Sequence, residues 1–310
     1  MSTSNRFSYK TWYAAWAATA ALAALALPVQ AAVTRDFSAQ KAADPAGTVE
    51  IVNVEGSIEV IGWNQPTVDV TGKLGERVES VDVTSSANRT TIRVVIPKGG
   101  SNSHGETAAD LKIHVPQNSS LEVSLVSADL RTNGVAGNQH LQTVSGDIMG
   151  EVGGGSLQVD TVSGDVRLTA HNGRGAQIKT VSGDVELNGT SGDFTLNTVS
   201  GDSIVTLGDV ARATLESVSG DLNLTTGALG AQGQLDATTV SGDVKVHFAA
   251  APDADIDVQS FSGDISNCFG PKAVEEKYGP GSRLNFRSGK GGAHVHVDSK
   301  SGDVALCAGK

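Results

Sequence analysis

The chain has 310 residues, 37 of them Gly, with 18% charged and 4% aromatic residues and a formal net charge of −11. Acids outnumber bases 34 to 23 with no basic run anywhere, which excludes the electrostatic footprint of a nucleic-acid binder. An apolar fraction of 39% is too high for a disordered tail, and the surplus of Gly over the usual share of roughly 7% points to many turns.

Residues 1–31 are expected to be a secretory signal peptide. Arg6 and Lys10 form a basic start, Trp12 to Leu27 is an apolar run, and Val29 and Ala31 stand at the −3 and −1 positions of a cleavage site. The run has sixteen residues, short of the roughly 20 that span a bilayer. No Cys lies near the cut to carry a lipid anchor, and no second apolar stretch would hold the mature chain in a membrane. A periplasmic or extracellular location follows. The remaining residues carry 21 bases against 34 acids, and eight aromatics: Trp63, Tyr278 and six Phe. That supply is too small for an aromatic core, or for a broad platform on which sugars or bases stack.

Residues 32–46 are expected to be a mobile lead. From 47 to 125 the segments VEIVNV, GSIEVIGW, TVDVTGKL, VESVDVTS, TTIRVVIP and ADLKIHVP alternate with the period of strands, separated by turn-rich stretches at Asn64-Gln65-Pro66, Ala87-Asn88-Arg89 and 99–105.

From 126 to 310 the pattern becomes a repeat. Ser-Gly-Asp begins at Ser145, Ser163, Ser182, Ser200, Ser219, Ser241, Ser262 and Ser301, with steps of 18, 19, 18, 19, 22, 21 and 39; a degenerate copy, Ser127-Ala128-Asp129, precedes it by 18. Alternation before the triplet (Leu157, Val159, Thr161) and after it (Val166, Leu168) makes two short strands joined by a corner. Glycine supplies positive φ there, and Ser and Asp bond nearby backbone. A unit this short cannot bury its own apolar face, so copies must stack. The predicted fold is all-β: a single-stranded β-solenoid of about 18–22 residues per coil, its open end covered by an irregular β portion over 47–125. Eight marked coils at the roughly 4.8 Å strand spacing give a section on the order of 40 Å long.

Gly56-Ser57-Ile58-Glu59-Val60 followed by Gly62-Trp63, the Ile113-His114-Val115-Pro116 step and the VSGD array resemble the bacterial putative-adhesin family, an uncharacterised domain of β-strand repeats, from about Val49 to Leu306. The resemblance implies this architecture and supplies no catalytic residues.

The Asp column is the sharpest chemical feature. Asp147, Asp165, Asp184, Asp202, Asp221, Asp243, Asp264 and Asp303 share one phase. At coil spacing, neighbouring carboxylates repel by about 0.9 kcal/mol per pair in water. Backbone N–H groups of each carboxylate's own corner are expected to offset this. A second reading is Ca²⁺, with Asp147, Asp165, Asp184, Asp202, Asp221 and Asp243 as candidate ligands, although the nonapeptide of β-roll proteins is absent. Ser191-Gly192-Asp193 stands out of phase. A third reading is a carbohydrate-active enzyme, but a catalytic pair breaks a repeat locally, whereas here one residue recurs in every coil. His294 and His296 share a strand face without an evident third ligand.

Cys268 and Cys307 each lie six residues after a triplet serine, and an even pair in an exported chain reads as a disulfide. Adjacent coils would bring their Cα atoms to about 4.8 Å, within bridging range, and one intervening coil would forbid the bond. Bridging therefore requires residues 270–298 to be an excursion. The sequence thus predicts an exported, non-catalytic scaffold without a resident cofactor, whose faces would meet polysaccharide, an envelope protein or a copy of itself.

Overall fold

The computed structural model describes residues 34–97, 106–275 and 280–309; the expected signal peptide over 1–31 and its expected cleavage site lie outside them. Among the described residues every regular element is a strand, so the fold is all-β and solenoid-like. No helix there is long and apolar enough to cross a membrane.

The N-terminal part comprises β1 (Arg35–Ala42), β2 (Thr48–Trp63), β3 (Thr67–Leu74), β4 (Ser80–Ser86), β5 (Arg89–Val95), β6 (Ala109–Pro116) and β7 (Ser120–Val135). The regular array runs through β8 (Gln139–Ser145), β9 (Ile148–Val152), β10 (Leu157–Ser163), β11 (Val166–Gly173), β12 (Ala176–Ser182), β13 (Val185–Ser200), β14 (Ser203–Ser219), β15 (Leu222–Thr226), β16 (Leu229–Ser241) and β17 (Val244–Phe248). The C-terminal part adds β18 (Ala254–Ser260), β19 (Ile265–Asn267), β20 (Val274–Glu275), β21 (Ser282–Ser288), β22 (Ala293–Ser301) and β23 (Val304–Ala308).

Within the array every pairing is parallel. The triplet serines Ser145, Ser163, Ser182, Ser200, Ser219, Ser241 and Ser301 face one another coil to coil. Strand segments before the triplet build one parallel run and those after it another, and their alternate side chains meet inside. Leu141, Val159 and Ile178 stack from the first run, and Ile148, Val166 and Val185 from the second, all buried. Each such side chain contributes about 2 kcal/mol on burial. The second corner tolerates length changes, with register shifts between Asn188 and Asp193 and between Val210 and Arg212.

At both ends the coils do not stack in chain order. β2 pairs in parallel with β5 and β6 on one side and with β7 on the other. The first coil, β2, therefore lies one slot inside the stack; the chain then moves outward to build the cap and returns to continue the array. The other end is its mirror: β22 lies between β16 and β18, and β23 between β17 and β19. Antiparallel strands close each end, β4 on β5 and β3 on β6 at the start, and β21 on β18 at the finish.

Several sequence expectations change accordingly. Part of the expected mobile lead 32–46 is β1, paired antiparallel along β3 with Arg35, Asp36 and Lys41 on an edge strand, where charge blocks further pairing. The boundary between cap (47–125) and array (126–310) falls inside the continuous β7, and β2 is itself a stacked coil. The 270–298 excursion is shorter than expected, because β22 rejoins the stack at Ala293.

Candidate functional site

The triplet corner repeats along the stack with a defined set of hydrogen bonds. The Gly146 N–H reaches the Ser163 carbonyl at 3.3 Å, and the Ile148 N–H reaches the Asp165 carbonyl at 2.9 Å. The aspartate N–H between such a pair goes to a side chain instead: that of Asp165, between Gly164 and Val166, is accepted by Asp147 Oδ1 at 2.9 Å. The same bond, at 2.8–3.0 Å, links Asp129 to Asp147, Asp165 to Asp184, and onward through Asp202, Asp221, Asp243, Asp303 and Asp264. The expected partner was an N–H of the carboxylate's own corner. The correction has a physical reason, since the corner peptide turns its N–H along the stack axis toward the neighbouring coil. Each carboxylate thereby satisfies a donor that no strand pairing reaches.

This ladder also reveals the order of coils, with Asp303 between Asp243 and Asp264. Asp165 carries a second partner, Arg167 Nη2 at 2.8 Å. The Asp184 N–H, and after it the Arg167 guanidinium, hold the Asp165 carboxyl below the ordinary carboxylate range. Beside Asp147, Asp165, Asp184, Asp202, Asp221, Asp243 and Asp303, glycine is required by space as well as by φ. Gly164 sits at φ 148°, and a Cβ there would lie 2.2 Å from the Gly146 carbonyl oxygen.

At the position before the corner, most coils place an apolar side chain on the outside. Val54, Val126, Val144, Val162, Val181, Val199, Val218 and Val240 are all 40–49% exposed, while the Thr preceding most of them is buried. Neighbouring coils bring these eight valines side by side in a ridge on the order of 34 Å long at strand spacing. Lys300 interrupts it in the tucked last coil, and Phe261, 60% exposed, resumes it beyond. Contact between the valines contributes to sheet stability, as cross-strand pairs do. An isolated exposed valine needs no explanation, but a contiguous row is the kind of surface that marks a contact site. Sequence reasoning passed over the ridge. Its signal was an apolar residue recurring in the outward phase of XTVSGD.

The remaining candidates do not converge on chemistry. Among the described residues no three His, Cys, Asp or Glu side chains group closely enough to hold a metal ion. His294 and His296 lie on the outer face of β22, with His296 Nδ1 3.9 Å from Asp257. Asp193 sits opposite Arg212 within the second corner, outside the ladder. Cys268 and Cys307 form a disulfide with Cα atoms 4.8 Å apart, as adjacent coils require, the last coil having inserted beside that of Cys268.

A parallel β-repeat stack whose corner column serves the backbone, with an apolar ridge beside it, defines a repeat scaffold with an extended surface. The chain belongs to the family described as Toastrack DUF4097, which matches residues 53–307. No curated protein matches this sequence. Among solved structures, a putative adhesin from Parabacteroides distasonis ATCC 8503 is similar at 14% identity and TM-score 0.39, covering 87% of this chain and 97% of that one. A putative adhesin from Bacteroides fragilis NCTC 9343 is similar at 11% and 0.38, covering 88% and 97%. A putative lipid binding protein from Parabacteroides distasonis ATCC 8503 stands at 11% and 0.37, covering 87% and 96%. Likeness at this level assigns no ligand to this chain.

Proposed function

We propose that the chain is an exported, non-catalytic scaffold of the cell envelope that presents an adhesin-like interaction surface, built as a single-stranded solenoid of 18–22 residues per coil. The observation that carries the reading is the valine ridge. A purely structural corner requires the Gly and the Asp, whereas nothing in the corner requires an apolar side chain pointing outward. The ladder supports a scaffold over a carbohydrate-active enzyme, because one oxygen of each of these carboxylates already binds the next coil. The partner that fits is a protein with an apolar row flanked by Lys or Arg. The apolar row would cover the valines, and the basic groups would face the second oxygens of the adjacent Asp column. Export follows from the chemistry of residues 1–31.

A photo-crosslinking side chain placed at Val181 or Val199 in producing cells tests this, with Glu186 on the opposite run as control. Crosslinks to one envelope protein from the ridge positions alone are expected. Equal crosslinking from Glu186, or none from the ridge, rejects the reading.

A further inference from the structure

A cleft of about 360 Å³ lies at the cap end of the molecule, away from the ridge, between the β2–β3 turn and the β6–β7 turn. Its volume is at the low end of ligand pockets, which span about 300–1,000 Å³. Trp63, the one tryptophan beyond the leader, lines it together with Asn64 and Gln65 from the first turn and Gln117 and Asn118 from the second. Prolines at 45, 66 and 116 supply the rest of the wall, and no charged residue takes part, in a chain of net charge −11.

The walls are fixed before any ligand arrives. The Gln117 N–H donates to the Trp63 carbonyl at 2.8 Å and ties the two turns together. The Ala43 N–H donates to the Pro66 carbonyl at 3.0 Å. The indole is oriented twice: its Nε1–H donates to the Thr67 carbonyl at 2.8 Å, and its ring stacks on His114 with centroids 5.0 Å apart. By contrast, the four amide side chains are exposed and bond to no other group among the described residues. Each offers both donors and an acceptor.

We propose that this cleft binds an uncharged saccharide, one or two rings in size. A sugar hydroxyl is donor and acceptor at once, the pairing that four free amides supply, and the C–H face of a pyranose packs against an indole. The absence of charge in the wall disfavours acidic polymers. A proline-rich peptide would want several aromatic ridges, and the cleft has one indole. The inference rests on the reading of the chain as a binding protein, and it locates a ligand class at a place the ridge does not reach.

The test is calorimetry on the purified chain with neutral oligosaccharides, acidic polysaccharides and a proline-rich peptide, together with the emission difference between wild type and Trp63→Phe. Saturable binding of a neutral sugar is expected, with a change in Trp63 emission. It should weaken at least tenfold in Trp63→Ala and in the double variant Asn64→Ala/Asn118→Ala, whose exposed side chains carry no structural bond. The ladder variant Asp184→Asn should bind as wild type. No binding of any neutral sugar at millimolar concentration overturns the proposal, as does binding that survives both cleft variants, or occupation of the cleft by the peptide or the acidic polymer. Product released from a sugar would instead reject the non-catalytic reading, so the two failures are distinguishable.

Discussion

The two ends of the stack solve one problem with different chemistry. At each, the coil nearest the chain terminus is tucked one slot inward, so it pairs along both edges and cannot peel away from the terminus. The C-terminal tuck is covalent, Cys268 to Cys307, and is backed by Phe269 set between the rings of Phe248 and Phe286 at 6.1 and 6.0 Å. The N-terminal tuck is held by polar contacts. Fully buried Asn53 donates from Nδ2 to the carbonyls of Glu55 at 3.0 Å and Ala109 at 3.2 Å, and Arg89 of the cap spans β2 and β7 through Glu50 at 3.0 Å and Glu122 at 2.9 Å. Tucking is the shared device and the lock is not. The first coil receives its second neighbour as soon as β7 is in place, whereas the last coil must enter between two coils already made, and a bond that constrains the open chain favours that state.

Removing the lock separates the ends most strongly. The disulfide closes 39 residues, worth roughly 4 kcal/mol in the chain-entropy model. The double variant Cys268→Ser/Cys307→Ser should accelerate amide exchange in β18, β19, β22 and β23 and leave β2 unchanged. Equal loosening of both ends would mean that the disulfide is not a lock on the C-terminal tuck alone.

The middle of the array responds to space. Gly164→Ala places a methyl against a carbonyl at positive φ and should cost roughly 3 kcal/mol or more in a denaturant melt. Gly134→Ala at the N-terminal end is the matched control. Its φ is 71°, but the nearest atom to a Cβ is 3.6 Å away, so only backbone strain of about 1 kcal/mol remains. Asn53→Ala follows, removing the buried polar lock and leaving the Ala109 carbonyl without this donor, for about 2 kcal/mol. Amide exchange should rise in β2 and β6 and not in β22.

Where the sequence was legible and where it was not follows from what local pattern can encode. Alternation around VSGD gave the strands, their phase and the corner, because burial has period two in every coil. Equal phase of the cysteines gave the bridge. The order of coils was hidden, since AHVHVDSKSGDV carries the same frame as its neighbours, and nothing local distinguishes the slot beside β16 from the one beyond β18. β1 was hidden for a different reason: its partner β3 lies at the end of the stack, so RDFSAQKA buries little and shows little alternation. The partner of each aspartate was hidden because it is a backbone N–H one coil away, invisible to side-chain identity. The Trp63 cleft was hidden because its two turns lie far apart in sequence, and one tryptophan makes no motif.

The smallest expected effect tests whether the ladder behaves as a set of bonds or as a set of charges. The Asp165 carboxyl is held below the ordinary range by the Asp184 N–H and by Arg167, so its contribution is present above the unfolded value of about 3.9 and is lost as pH falls through the lower folded value. Asp165→Asn keeps an oxygen that can accept the Asp184 N–H and removes the titration. If the bond is what matters, the variant should match wild type within about 0.5 kcal/mol at neutral pH. Its stability should also fall less steeply than that of wild type in acid melts below about pH 4. A variant markedly more stable than wild type at neutral pH and low salt would mean that repulsion along the column outweighs its hydrogen bonds. The ladder would then be a strain carried by the array.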